Sequence, residues 1–333
     1  MASAGRQVRH SHTTPAVRQR LLFLVCGNLG LLAYIFWQTL GSPNASFVDE
    51  LSRFAPNVAP YVIAGLGLTG IICTGAIDLS IGAIIVVAGT VFGIGYEWGY
   101  SPLVCYAACY LTAVGLSAAN GYVIRLLSIP AIIVTLAGLV FYRGAALILA
   151  DVSLTNFGGQ ISVQDEAYHA PGKEHAALIL LAALVVAAAW EAFGKTPRTW
   201  LALGDSEAAC RLKGLHPGKV LQSSFWASGL FLGLASVTYV TNRLTIEPSR
   251  MARGFELDVI GAVVLGGTNI FGGEGSLIGT ALGAFFLYLV GQTMLYAGVG
   301  EYWRTAVQGA VIVAVIGFDC WAHRREKLLK ELQ

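Results

Sequence analysis

Charged residues are scarce in this chain: Asp, Glu, Lys and Arg together account for only 12% of its 333 residues. A typical soluble domain carries about 25% charged residues, because its surface must face water. Hydrophobic residues instead make up 56% of the sequence, and the mean hydropathy is +0.66. The composition therefore excludes an ordinary soluble domain and predicts an integral membrane protein. The net charge of +2 gives no reason to expect nucleic acid as a partner.

Groups that bind metals or nucleotides are also missing from the apolar part of the chain. Cys105 and Cys109 would share a helix face, but no histidine or carboxylate near them completes a metal site. The glycine-rich stretch at 266–276 contains no lysine, which a phosphate-binding loop requires at its end. We therefore expect no metal, no cofactor and no disulfide framework.

Ten apolar runs have about the length needed to cross a hydrocarbon core roughly 30 Å thick. With a cytoplasmic start, the segments that would lie inside hold fourteen of the 21 Lys and Arg residues, as the positive-inside rule requires. The sequence thus predicts an all-α polytopic membrane protein with about ten transmembrane helices and both termini in the cytoplasm. The predicted spans are 21–40, 58–75, 79–97, 102–124, 130–150, 176–193, 220–241, 257–271, 276–297 and 302–321.

One membrane domain with short tails is expected, because no linker or low-complexity tract interrupts the spans. Residues 1–20 form a basic cytoplasmic tail, residues 21–321 form the transmembrane domain, and residues 322–333 form a second cytoplasmic tail. The first apolar run is too long for a signal-peptide core and is expected to be a retained span. The longest outer loop is 151–175, and the longest inner loop is 194–219.

The inner loop contains the signals of a short helix outside the membrane. Asp205 or Ser206 is a suitable N-cap, Glu207 falls in the first turn, Arg211 falls near the end, and Gly214 can close the helix. Such a helix would be about 13 Å long. It could dock into a groove on a partner or cover its own bundle, and the spacing favours neither alternative.

Two charged residues stand out within the apolar part of the chain. Asp78 lies between two predicted spans, where a carboxylate is costly unless its oxygens are bonded. It could cap the next helix by accepting the backbone N–H of Ser80 or Ile81, or act in a solute route or gate, and these roles are compatible. Arg143 lies deep in its span and is expected to snorkel or to pair with a carboxylate that the sequence does not identify.

Glycines, of which there are forty, are concentrated in two patterns. A flexible break between the predicted spans 257–271 and 276–297 is expected to act as a gate or hinge, and it contains Gly266, Gly267, Gly272, Gly273 and Gly275. Glycines spaced four residues apart predict bare helix faces for close packing. These are Gly89 with Gly93, Gly229 with Gly233, and Gly275 with Gly279 and Gly283.

Four stretches of the sequence resemble one known family. SEAACRLKG at 206–214 is similar to the coupling-helix segment of ABC importer permeases of the ribose/simple-sugar type. TGAIDLSIGA at 74–83 resembles the Gly-Ile-Asp-Leu-Ser signature of that branch, with Ala76 in place of the usual glycine. The other two stretches are IPAIIVTLAGLVFYRGAAL at 129–147 and GFELDVIGAVVLGGTNIFGGEGSLIGTALGA at 254–284. All four occur in the order and at separations similar to those of that family.

The resemblance implies a permease subunit that carries a ribose-like or related monosaccharide across a bacterial inner membrane, using ATP that a separate subunit hydrolyses. The implied partners are an ABC ATPase subunit, a periplasmic sugar-binding protein, a second permease copy (identical or a sibling) and membrane lipid. The outer loop would be periplasmic, and the inner loop would be the coupling loop. The residues expected in ATPase coupling are Asp205, Glu207, Ala208, Ala209, Arg211 and Gly214. The residues expected along the substrate pathway are Asp78, Ser80, Asn120, Thr135 and Asn269.

The alternative hypothesis is an ion-coupled secondary transporter of a small polar solute. It would need several carboxylates or histidines inside the bundle, and only Asp78 meets this need readily, since all six histidines fall in tails or loops. An intramembrane enzyme is disfavoured because the spans contain no Ser/His or paired-carboxylate constellation, so no catalytic residue is expected. The identity of the sugar is not encoded in any recognisable pattern.

Overall fold

The computed structural model describes residues 15–40, 47–153, 160–243, 245–300 and isolated positions between 303 and 317. Its helices are α1 (Pro15–Leu40), α2 (Phe47–Cys73), α3 (Ile81–Glu97), α4 (Pro102–Leu127), α5 (Ala131–Ser153), α6 (Ala176–Phe193), α7 (Thr196–Asp205), α8 (Glu207–Leu212), α9 (Pro217–Thr241), α10 (Phe255–Leu265) and α11 (Leu277–Tyr296). Two short strands, β1 (Ile161–Ser162) and β2 (Thr245–Ile246), pair antiparallel. We refer to the end of the bundle that carries α8 as the α8 end, and to the opposite end as the sheet end.

Seven of these helices are long and apolar enough to cross a membrane, namely α1, α2, α4, α5, α6, α9 and α11. Helix α3 is apolar but has only 17 residues, or about 26 Å. The all-α polytopic architecture is therefore confirmed. Helix α2 begins eleven residues before its predicted start, at Phe47, because its first turns are too polar for hydropathy to register.

The predicted span at 257–271 is a half-length helix. Helix α10 has 11 residues, or about 16 Å, which is roughly half of the hydrocarbon core. It ends at Leu265, and the chain turns after the C-cap residue Gly266, so the apolar residues that follow do not extend the helix. The predicted span at 302–321 lies mostly outside the described residues.

Helix α2 lies at the centre of the bundle. It packs against α9, α11, α6 and α10, and 83% of its apolar window is buried, compared with 17% for α1 and 22% for α6. The outward side chains of α1 and α6 are large and apolar, as is required of helices that face lipid. The core of the protein is therefore organised around α2 and α9, with α1 and α6 at the periphery.

Glycines allow α4 and α9 to approach each other closely. A side chain at Gly229 would contact Val114 and Ser117 of α4, and one at Gly233 would overlap Tyr110. The Ser117 hydroxyl also donates to the Phe225 carbonyl at 2.9 Å. The packing role predicted for the glycine pair on α9 is thus confirmed.

The sheet end is closed by the segment that follows α5. Both ring nitrogens of His169 lie within hydrogen-bonding distance of backbone carbonyls, those of Thr241 at 2.8 Å and Val163 at 2.9 Å. The Tyr168 hydroxyl donates to the Tyr100 carbonyl at 2.6 Å. These contacts fix the loop to the ends of α9 and α3 and cover the bundle.

Candidate functional site

Helix α3 begins inside the bundle, and Asp78 lies two residues before its N-cap residue, Ser80. The Asp78 carboxylate Oδ1 accepts the backbone N–H of Ser80 at 2.8 Å and the Ser80 hydroxyl at 2.6 Å. Both residues are fully buried. The predicted capping bond to the Ser80 N–H is confirmed. The chain between Cys73 and Ile81 is not helical: it turns at Thr74 and Gly75 and then follows an irregular path to Ser80.

A chain of buried hydrogen bonds continues from Ser80 into α4 and α5. The Asn120 amide donates to the Ser80 hydroxyl at 2.8 Å, and the Tyr142 hydroxyl donates to the Asn120 Oδ1 at 2.8 Å. The Thr135 hydroxyl donates to the Ile77 carbonyl at 3.1 Å. These bonds fasten the non-helical segment 74–80 to its neighbours.

Four of the five predicted pathway residues therefore converge on one buried cluster: Asp78, Ser80, Asn120 and Thr135. Tyr142 also belongs to this cluster, although the sequence reasoning did not select it. It lies seven residues after Thr135, which is two helical turns along the same face, and this spacing would have identified it.

Arg143, the neighbour of Tyr142, points in another direction. Its guanidinium donates to the carbonyls of Ala252 at 2.9 Å and Met251 at 3.4 Å. Its Nη2 lies 4.0 Å from the Glu256 Oε2. Glu256 is thus the carboxylate partner that the sequence did not identify. The Glu256 Oε2 is buried and has no hydrogen-bond partner among the described residues.

The segment that carries these carbonyls descends from the sheet end along α3. The side chain of Ile246 lies against Gly93, Met251 lies against Gly89, and Glu256 lies against Gly82. Gly93 and Gly82 are eleven residues apart on α3, or about 16 Å along its axis. Non-helical backbone and the start of α10 are therefore placed deep within the bundle, which is possible only beside protein or an aqueous cavity.

An open cavity of about 410 Å³ lies beside this segment. It is lined by Arg143, Leu147, Pro248, Ser249, Arg253, Gly254 and Glu256. Most of these residues are polar or charged, in contrast to the apolar surfaces of the neighbouring helices. None of them except Arg143 was singled out by the sequence, because their proximity depends on the descent of the segment 245–254.

The glycine-rich break forms a defined turn at the α8 end. Gly267, Gly272 and Gly273 have positive φ angles of 96°, 89° and 81°, which side-chain-bearing residues rarely adopt. The Gly273 N–H donates to the Cys73 carbonyl at 3.0 Å, and a side chain at Gly272 would meet the backbone of Gly75. The break is therefore tied to the end of α2.

Asn269 lies in this turn, apart from the other predicted pathway residues. Its Oδ1 accepts the Phe271 N–H at 3.0 Å, and its backbone N–H donates to the Glu274 carbonyl at 3.1 Å. Its described hydrogen bonds are therefore local and shape the turn.

The predicted helix of the inner loop is present as α8. The Ser206 hydroxyl accepts the Ala209 N–H at 3.2 Å and caps it, and Gly214, with a φ of 75°, follows its end. Asp205 is the last residue of α7, which precedes it. The Glu207 and Arg211 side chains form an ion pair at 2.7 Å.

Helix α8 buries only one of its side chains against the bundle. Cys210 is fully buried, whereas Ala208, Ala209 and the ion pair are exposed, and Leu212 is 89% exposed. The sequence places Ala208, Leu212 and Leu215 on one side of this segment; Ala208 and Leu212 are turned away from the protein, whereas Leu215 packs against the cluster around Cys210 and Trp200. The exposed part of the side, Ala208 and Leu212, does not cover the bundle.

Comparisons with known proteins agree with this architecture. The family model described as "Branched-chain amino acid transport system / permease component" matches residues 51–316. Ribose import permease protein RbsC of Escherichia coli strain K12 is 29% identical over 297 residues, which cover 87% of this chain and 92% of RbsC. Autoinducer 2 import system permease protein LsrC of Photorhabdus laumondii is 32% identical over 308 residues, covering 90% of this chain and 87% of LsrC.

A solved structure shares the fold. It is described as a metal-chelate type ABC transporter in an inward-facing conformation, and it aligns with a TM-score of 0.54 and 14% identity. The alignment covers 91% of this chain and 99% of that one. At this identity, the likeness concerns the fold alone.

Proposed function

Because this chain belongs to the branched-chain amino acid transport system permease component family, we propose that it is the membrane-spanning permease subunit of an ABC importer for a monosaccharide or a closely related derivative. The relatives named for ribose and autoinducer 2 import match over nearly their full lengths. They support a sugar-like solute in preference to the amino acids of the family description.

The observation that carries this proposal is the exposed apolar stripe of α8. Leu212 and Ala208 face away from the bundle on a short helix that is capped by Ser206 and attached to the bundle through the buried Cys210. A docked partner would bury this stripe, and a helix in a groove is a common way to join two proteins. We assign the partner as the ATPase subunit, with Asp205, Glu207, Ala208, Ala209, Arg211 and Gly214 at the contact.

A continuous set of contacts leads from α8 to the deep polar groups. A side chain at Gly204, in α7, would overlap Gly273 of the glycine-rich turn and the Cys73 carbonyl at the end of α2. The turn follows directly on α10, which carries Glu256 in its first turn at the other end of the helix, and Cys73 leads into the segment that holds Asp78. ATP-driven movement of α8 would therefore shift α10 and the segment 74–80 together, with the glycines of the turn as the hinge.

The same arrangement suggests how the predicted pathway residues act. Asp78, Ser80, Asn120 and Thr135 are buried in this conformation, so they support the wall of the route by fixing the segment 74–80. Asn269 supports the turn at the α8 end. The solute would cross without covalent chemistry, consistent with relatives that are transporter permeases.

The complete transporter would contain two permease copies, identical or sibling, two ATPase subunits and a periplasmic sugar-binding protein. We assign the α8 end to the cytoplasm, together with the tails 1–20 and 322–333, which gives about ten spans. The excess of Lys and Arg in these segments supports this orientation. The loop 151–175 at the sheet end would receive the binding protein.

The test is uptake by proteoliposomes that contain the permease and its ATPase subunit, with the binding protein outside and ATP inside. We expect accumulation of one of the sugars D-ribose, D-xylose, D-galactose or D-glucose, lost when ATP is omitted and retained when an uncoupler dissipates the ion gradients. Accumulation by the permease alone, driven by an ion gradient, would support the secondary transporter instead. L-leucine uptake without sugar uptake would reassign the solute class.

A further inference from the structure

We propose that the cavity beside Arg143 is a transient binding site for the solute within the membrane, where Arg143 donates hydrogen bonds to sugar hydroxyl groups and Glu256 accepts them. This inference rests on the proposed function and assigns a place where the sugar is held during transfer. It concerns residues other than the buried cluster around Asp78.

The two charged side chains that line the cavity offer a donor and an acceptor to hydroxyl groups. The Arg143 guanidinium has five N–H groups, and its bonds to the carbonyls of Met251 and Ala252 fix its orientation while using only part of this capacity. The Glu256 Oε2 is buried against Gly82, but the Glu256 side chain as a whole is 13% exposed and lines the cavity. At 4.0 Å the two side chains are too far apart for a direct hydrogen bond. Hydroxyl groups of a solute in the cavity can therefore accept from Arg143 and donate to the exposed part of the Glu256 side chain.

The surroundings of the cavity indicate that it holds water rather than lipid. The segment 245–254 lies deep in the bundle, yet Ser249 and Arg253 are exposed, and the side chain of Arg250 is 80% exposed. Charged side chains at such depth face aqueous cavities, because lipid does not solvate them. The cavity therefore opens towards a water-filled space, which a second permease copy would enclose.

The lining suits a polyhydroxylated solute that is held weakly. The accessible surface of the cavity is more apolar than polar, so the charged groups of Arg143, Arg253 and Glu256 are what would favour a hydroxylated solute over an aliphatic side chain. No aromatic ring is among its seven lining residues, which limits affinity. A volume of about 410 Å³ lies within the range of small-molecule sites. Weak binding is what a transit site requires, since a tightly held solute would not leave.

The experiment measures protection of a cysteine in the cavity by the sugar. Ser249→Cys is introduced into a Cys26→Ala, Cys320→Ala background of the full transporter, without nucleotide, and its reaction rate with a hydrophilic methanethiosulfonate is measured. The probe is the sugar taken up in the proteoliposome assay, at saturating concentration. Gln164→Cys, which is exposed at the sheet end outside the cavity, is the matched control.

We expect the sugar to slow labelling at position 249 several-fold and to leave position 164 unaffected. Adding Glu256→Gln should raise the sugar concentration for half-protection about tenfold, because a hydrogen bond to a charged acceptor is weakened. Adding Arg250→Gln, on the same segment but outside the cavity, should change the sugar concentration for half-protection by no more than about twofold. Thermal melting of each variant checks that the fold is retained.

Three results would overturn the inference. The first is a transported sugar that leaves labelling at position 249 unchanged, in which case the proposed function stands and only this site is wrong. The second is an equal shift from Glu256→Gln and Arg250→Gln. The third is protection by L-leucine and by no sugar, which would exclude a polyhydroxylated ligand. If the proteoliposomes take up no sugar, the proposed function fails, and this inference fails with it.

Discussion

The backbone N–H of Gly273 donates to the Cys73 carbonyl at 3.0 Å and joins the glycine-rich turn to the end of α2. Gly204, near the end of α7, packs on both residues at this junction. The end of α2, the end of α7 and the glycine-rich turn, which are distant in sequence, therefore contact one another through their backbones. This junction lies between the exposed helix α8 and the segments that carry Asp78 and Glu256.

Gly204→Ala should disturb this junction directly. A Cβ atom at this position would overlap the Cys73 carbonyl and the Gly273 amide, so the backbone must shift, at a cost of about 1–3 kcal/mol. We expect a lower melting temperature in detergent and reduced ATP-driven uptake. Gly115→Ala on α4 is the control, because a Cβ there has no neighbouring atom within 4 Å. Equal effects of the two variants would mean that the junction is not closely packed.

The double exchange Glu207→Arg with Arg211→Glu should separate docking from folding. Among the described residues the two side chains pair with each other on an exposed face, at 59% and 68% relative exposure, so the exchange keeps an intrahelical ion pair worth only about 0.3–0.5 kcal/mol. It reverses the charges presented to a partner, where like-charge contacts cost several kcal/mol.

We expect the exchanged permease to insert and melt like the wild type, while it no longer co-purifies with the ATPase subunit and its uptake falls at least about tenfold. Each single reversal places like charges four residues apart and should also weaken the helix slightly. Normal uptake by the double variant with its ATPase subunit would show that α8 is not the docking helix.

The sequence predicted the helices well where hydropathy decides and less well where the chain leaves the helical path. The spans at 102–124, 130–150 and 176–193 coincide with α4, α5 and α6 to within a few residues, because each is a continuous apolar run. Helix α10 was overestimated, since residues 266–271 are as apolar as a helix end but turn at positive-φ glycines. Composition does not distinguish these two states.

In the candidate site, too, some residues could be predicted from the local sequence and others could not. Asp78, Ser80, Asn120 and Thr135 were identifiable as polar groups among apolar residues, and they are joined in one cluster. The partner of Arg143 was not identifiable, because Glu256 reaches it only through the descent of the segment 245–254 along α3. That descent depends on contacts between distant parts of the chain, which no local pattern encodes.

Tyr142→Phe should destabilise the protein without changing its shape. The Tyr142 hydroxyl is buried and donates to the Asn120 Oδ1 at 2.8 Å, so its loss leaves a buried acceptor without this donor, at a cost of about 1–3 kcal/mol. Tyr122→Phe on α4 is the matched control, because Tyr122 is 53% exposed, and its effect should stay within about 0.5 kcal/mol. Melting curves in detergent compare the two. Equal melting temperatures of the two variants would show that the hydrogen bond from Tyr142 to Asn120 does not stabilise the protein.

Asp78 offers the sharpest distinction between a structural and a charge-dependent role. Its Oδ1 accepts both bonds from Ser80, and asparagine keeps an oxygen at that position while alanine does not. If capping of α3 is its role, Asp78→Ala should lose about 0.5–2 kcal/mol of stability. Asp78→Asn should lie between Asp78→Ala and the wild type, and uptake should follow the same order.

Ser80→Ala is the control for this pair of variants, because it removes the hydroxyl that bonds Asp78 and Asn120 but keeps the backbone N–H that is capped. We expect Ser80→Ala to lower the stability, because two buried hydrogen bonds are lost, while α3 still begins at the same residue. Melting and uptake are measured on the same preparations, so that each loss of uptake can be compared with its loss of stability. An Asp78→Asn protein that melts like the wild type but does not transport would contradict the capping role. In that case the negative charge itself, rather than the bonds to Ser80, would be what the transport cycle requires.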